Sequence, residues 1–361
     1  MKFLLKQQIE NDEYLYINDI LQNLKDELNN TKSLIDNYPK EWEIVKKQIH
    51  DYEYVYTSSN YYNNLSKISP FSRSYFKFNE MYYEFNLIEQ NKKNKIACLA
   101  EAPGGFVQSI FNLLDKDIEI LYGVTLLSRD NKVPKWNSLL KQNPKIKFLF
   151  GKNKDGDLYD LNNVLSIINN IGKNTIDLVT ADGGIDYSVD YSKQEENSIK
   201  LIYSEIFVAL NIQKKGGNFI CKIFDIFKKE TILLIYKLNI LYESVSFYKP
   251  NTSRLSNSEK YIVCQGYKGY NKAIINELCL SFNNNKLEYP ISKIFLNNIY
   301  EYNEYYCKNQ IDYINKGINI IKNKKMSSKP NQSQIEKSIN WCKKYNIPLN
   351  MRCIYLYRTF T

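Results

Sequence analysis

The order of strand-like and helix-like segments after residue 95 predicts an α/β fold built on a mostly parallel, doubly wound sheet. Two further observations point the same way. The stretch Asp177-Leu178-Val179-Thr180 reads as continuously apolar rather than alternating, as strands buried on both faces do. A glycine-rich turn, Ala100 to Phe106, follows directly on the first such strand, where an open parallel sheet keeps its ligand crevice.

The elements follow in order. A strand over 96–100 leads into a helix over 105–114, and strands are expected over 118–124 and 145–150. A helix over 161–171 and a strand over 176–181 come next, then a helix over 198–210, a strand over 217–224 and a helix over 230–241. Two closing strands, 244–248 and 261–267, have no clear helix between them and predict an antiparallel edge hairpin. Upstream, Ser69-Pro70 combines an N-cap residue with proline at the first helical position, and so predicts the start of a helix that carries Lys77.

The flanks read differently. In residues 1–67, Ile17, Ile20, Leu21, Leu24 and Leu28 recur at helical spacing; Pro39 interrupts it, and Trp42, Val45 and Ile49 resume it. A helical N-terminal extension is expected, followed by a main domain over 68–270. Residues 271–361 lose the strand–helix rhythm. They contain a basic segment, Lys322 to Pro330, that reads as an exposed linker, then a helix over 334–345 and an apolar stretch over 353–357.

Composition sets bounds. Of 361 residues 43% are hydrophobic, enough for a sizeable core, and Lys+Arg of 49 against Asp+Glu of 39 gives a formal charge of +10. That surplus favours a polyanionic partner, nucleic acid above all. The 31 tyrosines are too many to pick base-stacking positions from the sequence. Seven cysteines, an odd number without CxxC spacing, read as reduced thiols with no zinc site. The apolar stretch at Met1–Lys6 is too short for a signal peptide, and that over 232–241 is too short to span a bilayer. A soluble, intracellular protein is expected, in cytoplasm or nucleus, or in a virion or viral factory if the source is viral. The single histidine, His50, lies in the N-terminal flank and reads as a packing residue.

Chemistry-bearing residues sit at element ends. Asp182 closes an apolar strand before Gly183-Gly184. Lys222 lies inside another apolar strand, costly unless it is paired or used. Glu259 opens the last strand. Taken singly, Lys77 is a solvated helix position, Glu259 a cap, and 100–106 a tight turn. The turn lacks GxGxxG and a Walker lysine, which disfavours a dehydrogenase or a phosphate cradle.

In combination these positions resemble the Lys-Asp-Lys-Glu tetrad of the FtsJ-like RNA ribose 2′-O-methyltransferases. The surrounding motifs are Ser72-Arg73, Ala102 to Phe106, Gly123-Val124-Thr125-Leu126, Asp155-Gly156-Asp157, Gly216 to Lys222, and Lys249 to Arg254 leading to Glu259. They are similar to those of the mRNA cap enzymes of eukaryotes and large DNA viruses, over roughly residues 70–270. The resemblance implies a Rossmann-like class I methyltransferase flanked by extensions. Its cofactor would be S-adenosylmethionine, held by Ala100, Glu101, Ala102, Pro103, Gly104, Gly105 and Phe106, with Asp157 and Leu158 at the adenine. The second strand ends without the carboxylate that many methyltransferases place on the cofactor ribose. Lys77, Asp182, Lys222 and Glu259 are implied as catalytic, with Lys222 the general base and Lys77 depressing its pKa. Arg254, Ser192, Lys193 and Gln194 are implied as substrate contacts. Capped mRNA is the expected substrate, methylated on the first transcribed nucleotide, with capping or transcription machinery as partners. The Gly-Val-Thr-Leu stretch and the spacing from Thr252 to Glu259 favour this over a ribosomal or transfer RNA enzyme. A non-catalytic RNA-binding subunit is the alternative from another class.

Overall fold

The structure, a computed structural model, describes residues 2–6, 12–184, 193–284 and 286–356. Its strands are β1 (Lys2–Leu4), β2 (Tyr14–Leu15), β3 (Asn94–Leu99), β4 (Ile118–Val124), β5 (Ile146–Leu149), β6 (Ile176–Ala181), β7 (Gln213–Ile223), β8 (Tyr242–Tyr248), β9 (Lys260–Tyr267) and β10 (Ile291–Ser292). Its helices are α1 (Gln22–Ser33), α2 (Pro39–Gln48), α3 (Ser74–Phe85), α4 (Gly105–Leu114), α5 (Leu161–Ile171), α6 (Gln194–Ile212), α7 (Lys229–Leu241), α8 (Lys272–Leu280), α9 (Lys293–Lys322) and α10 (Gln332–Lys344).

Eight of these strands form one sheet in the order β1-β8-β9-β7-β6-β3-β4-β5. The central five run parallel, β7-β6-β3-β4-β5, while β9 pairs antiparallel with both β7 and β8. The chain order reverses direction at β3, between β4 and β6, which makes the switch point where such sheets bind ligands. Alternate residues of each strand serve opposite faces. Ala97 and Leu99 join the larger cluster with α5, α6 and α7, while Ile96 and Cys98 join the cluster under α3 and α4. Lys222 shares the second face with Ile220, so it meets α3.

Three expectations are corrected here. The closing hairpin is not the sheet edge, because β1 pairs antiparallel with β8 and covers it. The N-terminal flank is therefore not purely helical: it supplies that edge strand, and β2 pairs with β10 of the C-terminal flank. The helix carrying Lys77 begins at Ser74, not at Ser69-Pro70. Residues just before it are bound elsewhere: Gln108 on α4 accepts from the Phe71 amide at 2.8 Å and donates to the Ser69 carbonyl at 3.1 Å. The side-chain amide thereby takes the backbone groups that would have opened a helix.

The flanks pack as parts of the core. The thirty-residue α9 lies against α1 and α2, and Gly317 lets it approach Trp42, since a Cβ there would sit 2.5 Å from the indole. The 323–329 segment between α9 and α10 is exposed, as expected of the basic linker. Helix α10 is tied to the sheet through the buried Glu80 on α3. Glu80 accepts from the Tyr248 hydroxyl at 2.7 Å, the Asn251 amide at 2.8 Å and the Trp341 indole N–H at 2.8 Å. Burial raises its pKa, against the pull of these donors.

Replacing Glu80 by alanine strands those three buried donors, at on the order of 1–3 kcal/mol each. A urea unfolding curve of Glu80→Ala is expected to show a loss of several kcal/mol, with Glu80→Gln intermediate.

Candidate active site

The carboxyl ends of the parallel strands converge on one rim. β3 ends in the turn 100–105, where Ala100 and Gly104 both take positive φ, 53° and 106°. Asp182 follows directly on β6, and β7 carries Lys222 one residue before its end. In the antiparallel pair with β9, Lys222 lies directly opposite Tyr261, two residues beyond Glu259.

The four tetrad residues come together as two ion pairs. The Lys222 Nζ donates to the Asp182 backbone carbonyl at 2.8 Å and lies 3.3 Å from its Oδ1. The Lys77 Nζ, from α3, lies 2.5 Å from Glu259 Oε1. Their side chains retain only 12–17% exposure, so each charge is desolvated but reachable. Two further donors fix the carboxylates. The Tyr261 hydroxyl donates to Asp182 Oδ1 at 2.8 Å, and the Ser253 hydroxyl to Glu259 Oε1 at 2.8 Å.

The electrostatics follow from this pairing. Burial opposes ionisation of Glu259, but Lys77, Lys222 and Lys249 outweigh it and hold the carboxyl down at about 2. Burial likewise works against the Lys222 ammonium, yet Asp182, then Glu259 and Glu205, overcome it and raise its pKa. The expected depression by Lys77 thus does not set the sign, because Glu259 is paired with Lys77 and Asp182 is closer to Lys222.

Beneath the rim lie two buried carboxyls. Glu101 accepts from the Thr180 hydroxyl at 2.6 Å through Oε1, while its Oε2 is buried without a partner. Burial and the nearby Asp182 raise its pKa well above the carboxylate range. Glu205, on α6, sits under Gly183 with Oε1 unpartnered and accepts a weak bond from the Cys221 thiol at 3.4 Å. Burial pushes it up to about 8.

The remaining predicted residues separate. Gly105 starts α4 and Phe106 is fully buried in the core below it. Asp157 is half-buried and its Oδ1 accepts the Tyr159 amide at 2.8 Å, while Leu158 is buried in the loop between β5 and α5. Arg254, expected to hold a phosphate, is instead engaged by the buried Glu53, which accepts from its Nε at 3.0 Å and Nη2 at 2.8 Å. Lys193 and Gln194 lie at the start of α6; Ser192 lies outside the described residues.

Tyr261, Ser253, Thr180 and Glu205 were not singled out in the sequence. Tyr261 is readable there only if the β7–β9 register is known, and Glu205 only once α6 is placed under the Asp182 turn.

Comparison with known proteins now bears on this arrangement. The family described as FtsJ-like methyltransferase matches residues 70–267, more than half of the chain. The chain belongs to the FtsJ-like methyltransferase family. It is 30% identical over 263 residues to the Drosophila melanogaster protein named cap-specific mRNA (nucleoside-2'-O-)-methyltransferase 2, covering 69% of this chain and 37% of that protein. It is 31% identical over 224 residues to the cap-specific mRNA (nucleoside-2'-O-)-methyltransferase of Autographa californica nuclear polyhedrosis virus, covering 62% and 76%. A Caenorhabditis briggsae protein named inactive cap-specific mRNA (nucleoside-2'-O-)-methyltransferase 1B is 33% identical over 196 residues, covering 48% and 23%. The chain thus spans little more than a third of the Drosophila relative and about three quarters of the viral one. In this FtsJ-like domain, both lysines and both carboxylates of the tetrad are present and paired.

Gly183→Ala tests how tightly the rim is built. Its Cβ would lie 2.3 Å from Glu205 Oε1 and 2.7 Å from Leu201 Cδ2. A destabilisation of about 1–3 kcal/mol is expected in denaturant unfolding. Adding Glu205→Ala should return part of it, as a double-mutant cycle would register.

Proposed function

We propose that this chain transfers a methyl group from S-adenosylmethionine to the ribose 2′-hydroxyl of capped mRNA, on the first transcribed nucleotide. The observation that carries the reading is the convergence of the two lysine–carboxylate pairs on the rim beside the glycine-rich turn. The names of the fly and viral relatives support the choice of substrate. A relative named inactive, at 33% identity, means that overall identity does not by itself decide activity.

The residues present fit the cofactor. Glu101 Oε2 is a buried acceptor without a partner, suited to the cofactor's ammonium group. Gly104 and Gly105 let the turn pack closely at the start of α4: a side chain at Gly104 would run into Leu140 and Trp136, and one at Gly105 into Ser72 and Ser74. Gly156 brings the Asp157 loop against the Thr125 carbonyl, closing the crevice at β4 and β5. Asp157 would take the adenine amino group there. S-adenosylmethionine supplies, when bound, a methyl group already activated on a sulfonium.

The protein's task is then to position a 2′-oxygen and remove its proton. Lys222, fixed by the Asp182 carbonyl and carboxylate, takes that proton on Nζ when neutral. Lys77, fixed by Glu259, donates to the same oxygen and orients it. Tyr261 and Ser253 hold the two carboxylates so that neither lysine swings away. Because the carboxylates raise the Lys222 pKa, only a small fraction is neutral at pH 7.

Methyl transfer from labelled cofactor to otherwise identical capped and triphosphate RNAs tests the reading. Transfer to the capped RNA alone, mapped to the first ribose, is expected. Equal transfer to both would favour a structural-RNA methyltransferase, and cofactor binding without transfer would favour a non-catalytic subunit. Lys222→Ala should lower turnover by roughly 10²–10⁴-fold while cofactor affinity stays near wild type.

The pH profile provides an independent check. Below a raised lysine pKa the neutral fraction grows about tenfold per pH unit, so kcat/KM should climb between pH 7 and 9. A flat profile would mean that Lys222 acts as a fixed cation and not as the base.

A further inference from the structure

Asp225 stands two residues beyond the end of β7, the strand that carries Lys222, and is buried. It grips both sequence neighbours of Glu259. Its Oδ2 accepts from the Ser258 hydroxyl at 3.0 Å, and its Oδ1 lies 3.5 Å from the Lys260 Nζ. Lys32, on α1, pairs with the same Oδ2 at 2.9 Å.

The chemistry makes this a firm hold. Ser258 and Lys260 are both buried, so neither can trade the carboxylate for water. A hydroxyl has one proton to give, and the carboxylate at 3.0 Å takes it ahead of the neutral Gln310 amide oxygen at 3.3 Å. In the β7–β9 register Lys260 stands opposite Ile223, so it faces away from Lys222, towards α9. Its ammonium lies 5.5 Å from the Tyr306 ring centroid and 5.8 Å from that of Tyr302, and Asp225 is the carboxylate paired with it. Burial works against ionisation of Asp225, but Lys32 and Lys260 outweigh it and hold the carboxyl down at about 2.

Other contacts at Glu259 do a different job. Lys249 donates to its carbonyl at 2.8 Å and Ser253 to its Oε1 at 2.8 Å, and both belong to the 249–259 loop itself. They fix Glu259 within its loop and not against Lys222. The β7–β9 ladder ends at the Ile223–Lys260 pair, so Glu259 lies just outside it. Asp225 takes hold where the ladder stops, and it is only three residues from Lys222 in the chain. Whatever shifts Glu259 also shifts Lys77, whose Nζ lies 2.5 Å from Glu259 Oε1.

We propose that Asp225 is a positioning residue for methyl transfer: by holding Ser258 and Lys260, it sets the Lys77–Glu259 pair at its distance from Lys222. The proposal rests on the methyltransferase reading. Asp225 touches neither substrate nor cofactor. It acts through Ser258, and the charge on Lys32 and Lys260 keeps it ionised and in place.

Two variants of the full chain test this. Asp225→Asn leaves Lys32 and Lys260 without a carboxylate and is expected to lower the melting temperature sharply. Ser258→Ala leaves no charge unpaired, so it carries the test. Its kcat for methyl transfer to capped RNA should fall roughly 10- to 100-fold, as small misplacements of reacting groups do, while KM for RNA and the cofactor Kd stay near wild type. Amine acylation by an activated ester, read by mass spectrometry, follows the pair without any turnover. Lys77 should be labelled several-fold faster in Ser258→Ala, relative to the exposed Lys308, while Lys222, held by Asp182, keeps its wild-type rate. An unchanged kcat, an unchanged Lys77 labelling rate, or a raised KM at wild-type kcat would each overturn the assignment and leave the methyltransferase reading untouched. A wild-type chain that methylates no RNA, but whose Ser258→Ala variant frees Lys77 for labelling, defeats the methyltransferase reading and leaves the hold of Asp225 on the pair standing.

Discussion

Two ammonium groups are held at the rim of one parallel sheet, and the pairing of each with its own carboxylate is the constraint on which the rest of the site depends. Unpaired, Lys77 and Lys222 would repel each other in a setting where neither retains more than 13% side-chain exposure. The pairing dictates topology. Asp182 must end the strand beside Lys222, which parallel β6 and β7 achieve. Glu259 must arrive from the other side of β7, which requires β9 to insert antiparallel between β7 and β8. The same insertion puts Tyr261 opposite Lys222 and gives Asp182 its second donor.

A second layer of carboxyls, Glu101 and Glu205, lies directly below. Three acids gathered around one lysine cannot all ionise cheaply in a buried site, and the two that lack a full ion pair have raised pKa values. Glu205, pushed up to about 8 by burial, joins Asp182 and Glu259 in raising the Lys222 pKa.

Much of this was legible in the sequence, and unevenly. The spans of β4, β6, α4 and α5 were read to the residue, because each is a long periodic or continuously apolar run with a glycine, proline or aspartate at its border. The four tetrad positions were legible as charged residues at or near element ends: Asp182 after a strand, Lys222 within one, Glu259 before one and Lys77 on a helix. What the sequence hid depends on long-range partners. β1 is three residues long and is a strand only because β8 offers an edge. Ser69-Pro70 carries a sound helix-start signal that loses to Gln108, 39 residues away from Ser69. Arg254 looked like a phosphate ligand because nothing in its neighbourhood announces Glu53, 201 residues earlier.

That last pairing explains what the flanks contribute to the site. Glu259 stands on a loop, and a carboxylate on a loop needs bracing to keep its geometry. The brace comes from outside the family-matched region. Glu53 from the N-terminal flank holds Arg254 and also Arg73, one helical turn before Lys77. Lys32 on α1 pairs at 2.9 Å with the buried Asp225, which in turn accepts from the Ser258 hydroxyl at 3.0 Å, next to Glu259. Gln310 on α9 donates to the Ser256 carbonyl at 3.1 Å. Within the loop, Lys249 is bound to both Asn257 oxygens and to the Glu259 carbonyl. Both lysine–carboxylate pairs are thus anchored through the flanks: one through Arg73 and the start of α3, the other through the 249–259 loop. Residues remote in sequence thus set the position of the four paired groups.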